Sequence, residues 1–177
     1  MVKFNLTVYS MYMPAKGECC MRVLVLSDSH GHRQRMCRVL EQEADCPVVF
    51  FLGDGLSDLE KAKEAFPARK FVAVRGNCDP AGEYTSYDDF AYQFIEGHTI
   101  VATHGHRAAV RYGLHDLLEK AKGVRADLAL YGHTHRPSQE TRDGVLLVNP
   151  GALCDGAYAI LTLTKQTADV TFRHCAF

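Results

Sequence analysis

The chain has 177 residues, 47% apolar and 23% charged, with 20 basic side chains against 21 acidic ones and a net charge of −1. That length suits one domain with a substantial core, and the composition is that of an ordinary globular protein. The balanced charge leaves no general basic face for gripping phosphates, so nucleic acid is not an expected partner, and no stretch reaches the roughly 20 apolar residues of a membrane-spanning helix.

Residues 1–20 end in Glu18-Cys19-Cys20 and lack the basic start and continuous apolar run of a signal peptide. They alternate weakly at Phe4, Leu6 and Val8, enough for an edge strand. They read as an appendage, arising from upstream translation initiation, to a compact domain over residues 21–177. The seven cysteines are odd in number and none has C-x-x-C spacing, which argues against a zinc ribbon or disulfide framework. Free thiols suit a reducing compartment, hence a cytoplasmic location.

From Met21 onward the chain alternates strand and helix signals. Residues 22–27 (RVLVLS) form a short β-branched apolar run, as expected of a strand buried on both faces. A helix follows with Met36, Val39 and Leu40 on one face, and Arg33, Arg35 and Arg38 read as its solvated side, with a local nucleic-acid-binding patch as the alternative. Residues 47–52 (PVVFFL) give a second strand. Residues 58–66 give a helix capped by Ser57 or Asp58 and ended by Pro67, and residues 70–74 give a third strand. Three strand–helix units in succession predict a parallel sheet with right-handed crossovers. The second half reads as a hairpin (91–96 and 98–103), a helix over 108–120 and a buried strand at 127–131. A run of antiparallel strands then follows at 137–141, 145–148, 158–164 and 168–174. Two mixed sheets packed face to face with helices outside accommodate this pattern.

Five short segments follow the strand signals: Asp28-Ser29-His30, Gly53-Asp54, Gly76-Asn77, Thr103-His104-Gly105-His106 and Gly132-His133-Thr134-His135. Ligands in open α/β sheets collect beyond the carboxyl ends of strands. A mixed oxygen and imidazole set suits Mn²⁺, Fe²⁺, Ni²⁺ or Zn²⁺ better than Ca²⁺. Seven ligand candidates (Asp28, His30, Asp54, Asn77, His104, His133 and His135) fit two ions sharing a carboxylate better than one crowded ion. Such a pair polarises phosphoryl oxygens and generates a hydroxide nucleophile near neutral pH.

The motif order DxH, GD, GN, HGH, GHTH resembles that of the calcineurin-like metallophosphoesterases, in particular their compact YfcE- and Vps29-like phosphodiesterase subgroup, over nearly the whole chain from Met21. The resemblance implies a four-layer α/β/β/α sandwich of two mixed sheets with a dinuclear site between them. It implies Asp28, His30 and His135 on one ion, Asn77, His104 and His133 on the other, and Asp54 bridging. Mn²⁺ is the expected metal, with Ni²⁺, Fe²⁺ and Zn²⁺ as alternatives. The expected activity is phosphodiester hydrolysis of a small-molecule or nucleotide-type substrate by metal-bound hydroxide. Asp54, Asn77 and His106 are the residues expected to carry catalysis.

Larger relatives carry histidine after the Gly-Asn pair, whereas this chain has Cys78, followed by Asp79. A thiol does not replace imidazole as a proton donor near pH 7, which leaves His106, with His32 behind it, as the expected donor to the leaving group. Arg75 and Arg107 flank the motifs as candidate phosphate contacts. Tyr84, Tyr87, Asp88 and Asp89 lie in a candidate specificity loop, and Asn149-Pro150-Gly151 reads as a strand-connecting turn. A phosphomonoesterase or nucleotidase, and a binding scaffold of the same fold, are the alternative functions. The sequence leaves homo-oligomerisation open.

Overall fold

The computed structural model describes residues 20–176. The predicted appendage lies outside the described residues, except for the exposed Cys20. The elements in chain order are β1 (Met21–Leu26), α1 (Arg33–Gln42), β2 (Val48–Phe51), α2 (Leu56–Ala65), β3 (Lys70–Ala73), β4 (Phe90–Ile95) and β5 (His98–Thr103). They continue with α3 (His115–Gly123), β6 (Leu128–Tyr131), β7 (Ser138–Arg142), β8 (Val145–Asn149), β9 (Ala157–Leu163) and β10 (Ala168–His174).

The strands form two five-stranded sheets, ordered β10-β9-β1-β2-β3 and β4-β5-β6-β8-β7. In the first, β1, β2 and β3 are parallel and β9 runs against β1. In the second, β5, β6 and β8 are parallel, with β4 and β7 antiparallel at the edges. Both sheets therefore present the C-terminal ends of three adjacent parallel strands.

Alternation along each central strand explains the continuous apolar runs, because successive side chains enter different cores. Val23, Val25, Phe50 and Leu52 meet Ile100, Ala102, Leu128 and Leu130 between the sheets. Leu24, Leu26, Val49 and Phe51 face outward and pack on Met36, Val39 and Leu40 of α1 and on Leu56, Leu59 and Ala62 of α2. Val101, Ala129, Tyr131 and Leu147 receive Leu117, Leu118 and Ala121 of α3. The result is the expected α/β/β/α sandwich.

Three local expectations change. The helix predicted over 108–120 is instead a 3₁₀ turn at His106–Ala108 followed by α3. Ala109 at φ 49° and Gly113 at φ 147° leave the right-handed region, although buried Ala108, Val110 and Leu114 mimic helical spacing. Helix α2 begins at Leu56 with Gly55 as its N-cap, so neither Ser57 nor Asp58 caps it. The late strands do not form one antiparallel run: β7 and β8 belong to the second sheet, where β8 joins β6 in parallel, whereas β9 and β10 extend the first. We predict that Leu130→Ala, fully buried between the sheets, lowers unfolding free energy by about 2–5 kcal/mol in urea titration; an unchanged midpoint contradicts this packing.

Candidate metal centre

All six parallel strands deliver a functional segment to the same edge of the sandwich. Asp28 and His30 follow β1, Asp54 follows β2 and Asn77 follows β3, while His104 follows β5, His133 and His135 follow β6, and Asn149 ends β8. Their donor atoms converge in two groups. His135 Nε2 lies 3.1 Å from Asp28 Oδ1 and 3.4 Å from His30 Nε2. His104 Nε2 lies 3.1 Å from both Asn77 Oδ1 and His133 Nδ1. Asp54 Oδ2 stands between the groups, 3.9 Å from His30 Nε2 and 3.4 Å from His104 Nε2.

These spacings test whether metal ions fit. Donors bound about 2.1 Å from one ion stand about 3.0 Å apart when octahedral and about 3.4 Å apart when tetrahedral. Hydrogen bonding does not account for the contact that His104 makes with Asn77. Its Nδ1 donates to the Leu52 carbonyl at 2.7 Å, which places the proton there and leaves the Nε2 lone pair facing the acceptor Asn77 Oδ1. Burial, with His104 and Arg111 adding to it, pushes the His133 imidazole down to about 4, so near neutral pH it is in the uncharged form that ligates metals. The seven residues thus fit two cations, with Asp54 placed to be shared.

Five of the seven residues occupy the left-handed backbone region: Asp28 (φ 55°), His30 (44°), Asp54 (58°), His133 (68°) and His135 (60°). Such positions carry strain unless the surroundings fix them, and three polar side chains do so. The buried Asp79 carboxylate accepts from the backbone amides of Asp54 (2.8 Å), Gly55 (2.9 Å), Leu56 (2.9 Å) and Gly76 (2.8 Å). It thereby ties the Gly-Asp loop to the Gly-Asn loop and caps α2 from outside the helix. Asp58 accepts from Ser29 Oγ (2.7 Å) and the Gly31 amide (2.9 Å), fixing the first loop. Asn149 donates to the Gly132 carbonyl (2.9 Å) and Thr134 Oγ1 (3.0 Å) while accepting from the Gly151 amide (2.9 Å).

Close backbone approach requires glycine at two of these points. A Cβ on Gly76 would overlap Asp54, and one on Gly132 would overlap Ser27 Oγ. The Asp54 carboxylate is further held by the Cys78 amide, which donates to Oδ1 at 2.7 Å and leaves Oδ2 for the cluster.

Sequence reasoning placed Asp58 as a helix cap and Asn149 in a plain turn, and it gave Asp79 no role. The helix start at Gly55 has no capping side chain of its own and leaves its amides to an acceptor elsewhere, but the sequence reading sets that start too late in the chain, so no signal points to Asp79.

Beside the second group opens a cleft of about 420 Å³ lined by Arg75, Asn77, Cys78, Pro80, His106 and Arg107. Asp89 pairs with both Arg75 (3.1 Å) and Arg107 (3.5 Å). The His106 ring centre lies 5.4 Å from that of His104 and 6.3 Å from that of His133, and its buried Nδ1 has no hydrogen-bond partner among the described residues. Burial and then His104 lower the His106 pKa. Burial and then Asp54 push the Cys78 thiol up to about 11, so it remains a protonated thiol near neutral pH. Tyr87 bonds Glu60 and Lys63 away from this cleft, and His32 Nδ1 bonds the Ser29 carbonyl.

Comparison with known proteins agrees with this architecture. Residues 21–166 match the calcineurin-like phosphoesterase superfamily domain, and the chain belongs to that family. It is 32% identical over 159 residues to the probable metallophosphoesterase YsnB of Bacillus subtilis, covering 86% of this chain and 90% of YsnB. It is 28% identical over 160 residues to the phosphodiesterase YfcE of Escherichia coli K12, covering 75% and 79% respectively. A predicted phosphoesterase of Streptococcus pneumoniae superposes with a TM-score of 0.76 at 25% identity, over 89% of this chain and 91% of that one. Vacuolar protein sorting 29 of Cryptosporidium parvum superposes with a TM-score of 0.68 at 16% identity, over 89% and 99%, a likeness of fold.

Removal of the Asp79 brace tests the construction of the site. Asp79→Asn is expected to weaken Mn²⁺ binding about 10–100-fold by calorimetric titration, with an unaltered far-UV circular dichroism spectrum. Unchanged affinity would mean that Asp79 does not position the ligands.

Proposed function

We propose that this chain is a dinuclear-metal-dependent phosphodiesterase. The observation that carries the reading is the pair of donor groups meeting at Asp54 Oδ2, with a cleft beside them. Asp28, His30 and His135 would hold one divalent ion and Asn77, His104 and His133 the other, with Asp54 available to both; Mn²⁺ is the ion we favour, with Ni²⁺, Fe²⁺ and Zn²⁺ also suited to the donors. Two such ions, when bound, activate water and offset phosphoryl charge.

The chain's own residues supply the rest. Arg75 and Arg107 border the cleft and orient the substrate phosphate. Their shared pairing with Asp89 offsets part of the positive charge that a doubly charged monoester would call for, which favours a singly charged diester. His106 lines the cleft and gives the leaving oxygen its proton. Cys78 has no part as a nucleophile, because water activated by bound metal supplies one. The YfcE relative, named a phosphodiesterase, supports the same activity. A scaffold of this fold, the role we set second, has no use for so many lone pairs held at ligand spacing.

We place the enzyme in the cytoplasm. Cys20, Cys37, Cys46, Cys78, Cys154 and Cys175 are unpaired, as suits a reducing compartment. Among the described residues no helix is long and apolar enough to cross a membrane.

Metal-stripped protein refilled with Mn²⁺ is expected to hydrolyse bis(p-nitrophenyl) phosphate faster than p-nitrophenyl phosphate, and Asp54→Ala is expected to abolish turnover. Faster monoester cleavage would favour a phosphomonoesterase, and no turnover despite metal binding would favour the scaffold. For the proton donor, His106→Ala is expected to lower kcat about 10²–10⁴-fold for an alkyl diester and much less for a p-nitrophenyl diester. Equal losses on the two substrates would remove that role.

A further inference from the structure

The arginines of α1 do not form the uniform solvated face that their sequence suggests. Arg35 is buried and donates to the Leu153 and Cys154 carbonyls, whereas Arg33 and Arg38 line the surface between α1 and α2 together with Lys61. Two clefts lie there, of about 380 Å³ and 510 Å³, and both include Arg33, Gln34 and Lys61. They form one trough along α1, a helix of ten residues and hence about 15 Å long. One end is made by Gly31 and His32, directly after the ligand residue His30; the other reaches Arg38 and Glu41.

The charge in this trough is local and available. Arg33 and Lys61 are exposed and make no hydrogen bond or ion pair among the described residues. Of the two acids on its walls, Asp58 is buried and committed to Ser29 and Gly31, which leaves Glu41 against three cations. Folding gives no reason for the cation at the near end. Arg33 sits in the first turn of α1, where the helix dipole favours an acid, and that turn contains none. The first nineteen residues do not complement the trough either, since they carry Lys3 and Lys16 against Glu18.

We infer that this trough is a second anion subsite, which binds a phosphate of the substrate beyond the one being cleaved. The inference rests on the phosphodiesterase reading above and narrows its substrate to phosphate-linked chains such as a short oligonucleotide. A chain whose scissile phosphate lies at the Asp54 cluster passes His30 and Gly31 into the trough, where Arg33 and Lys61 meet the next phosphate and Arg38 a further one. Balanced overall charge is compatible with this, because the recognition is confined to a few residues beside the site.

The test compares two substrates of the Mn²⁺-loaded full chain: bis(p-nitrophenyl) phosphate, which has no further phosphate, and a trithymidylate ending in a p-nitrophenyl phosphodiester. The wild type is expected to show the lower KM for the trithymidylate ester, rising steeply with salt. The double variant R33A/K61A, altered only at exposed positions, is expected to raise that KM about tenfold, with kcat and all parameters for bis(p-nitrophenyl) phosphate unchanged. Inorganic tripolyphosphate that competes selectively with the trithymidylate ester supports a subsite for the phosphate chain alone. A failure to compete, with the tenfold KM effect intact, supports one that also requires the nucleoside. Equal KM values for both substrates in the wild type, or a variant that affects both alike, overturn the inference while leaving the phosphodiesterase. No turnover of bis(p-nitrophenyl) phosphate overturns both.

Discussion

The constraint that organises this protein is electrostatic: nitrogen and oxygen donors must be held about 3 Å apart at one edge of the sandwich, where only a proton or a cation between them offsets their repulsion. Within the cluster, His104 faces Asn77 and His133 at 3.1 Å, and His135 faces Asp28 at 3.1 Å. Here five of the seven residues also sit at positive φ, each at a cost of order 1–3 kcal/mol, which in total is comparable with the net stability of a domain. Asp and His tolerate that region better than most residues, so the side chains the chemistry needs are also those the backbone can accommodate there. The remaining cost falls on the braces of Asp79, Asp58 and Asn149 and on the bond from His104 to Leu52.

Topology makes such a site attainable. Three parallel strands in each sheet end at one edge, and all but the edge strand β3 are fixed by side chains buried on both faces. The donors ride on short loops leaving rigid strands. Asp79 joins two of those loops and the N-terminus of α2 through a single carboxylate, which couples the helix to the donor cluster. A disturbance of α2 is therefore transmitted to Asp54 without any contact with the donors themselves.

Much of this was legible in the chain itself. Runs such as residues 22–27 and 47–52 announce doubly buried strands, and the ordered Asp, Asn and His segments after them are the ones whose donor atoms converge at one edge. What was hidden depended on contacts between distant segments. Asp79 acts on residues 23–25 positions earlier in the chain, and nothing local to it marks it as the cap of α2. Asn149 looked like part of a turn because its partners, Gly132 and Thr134, lie on another loop. The helix expected at 108–120 failed because its apolar spacing came from a buried turn, and because Ala109 adopts a left-handed conformation for which its own side chain gives no sign.

The central claim is that two ions share Asp54, and anomalous diffraction from crystals grown with Mn²⁺ tests it directly. The account predicts two peaks about 3.5–4 Å apart on either side of the Asp54 carboxylate, one beside Asp28, His30 and His135 and the other beside Asn77, His104 and His133. A single peak, or two ions that do not share Asp54, would contradict it.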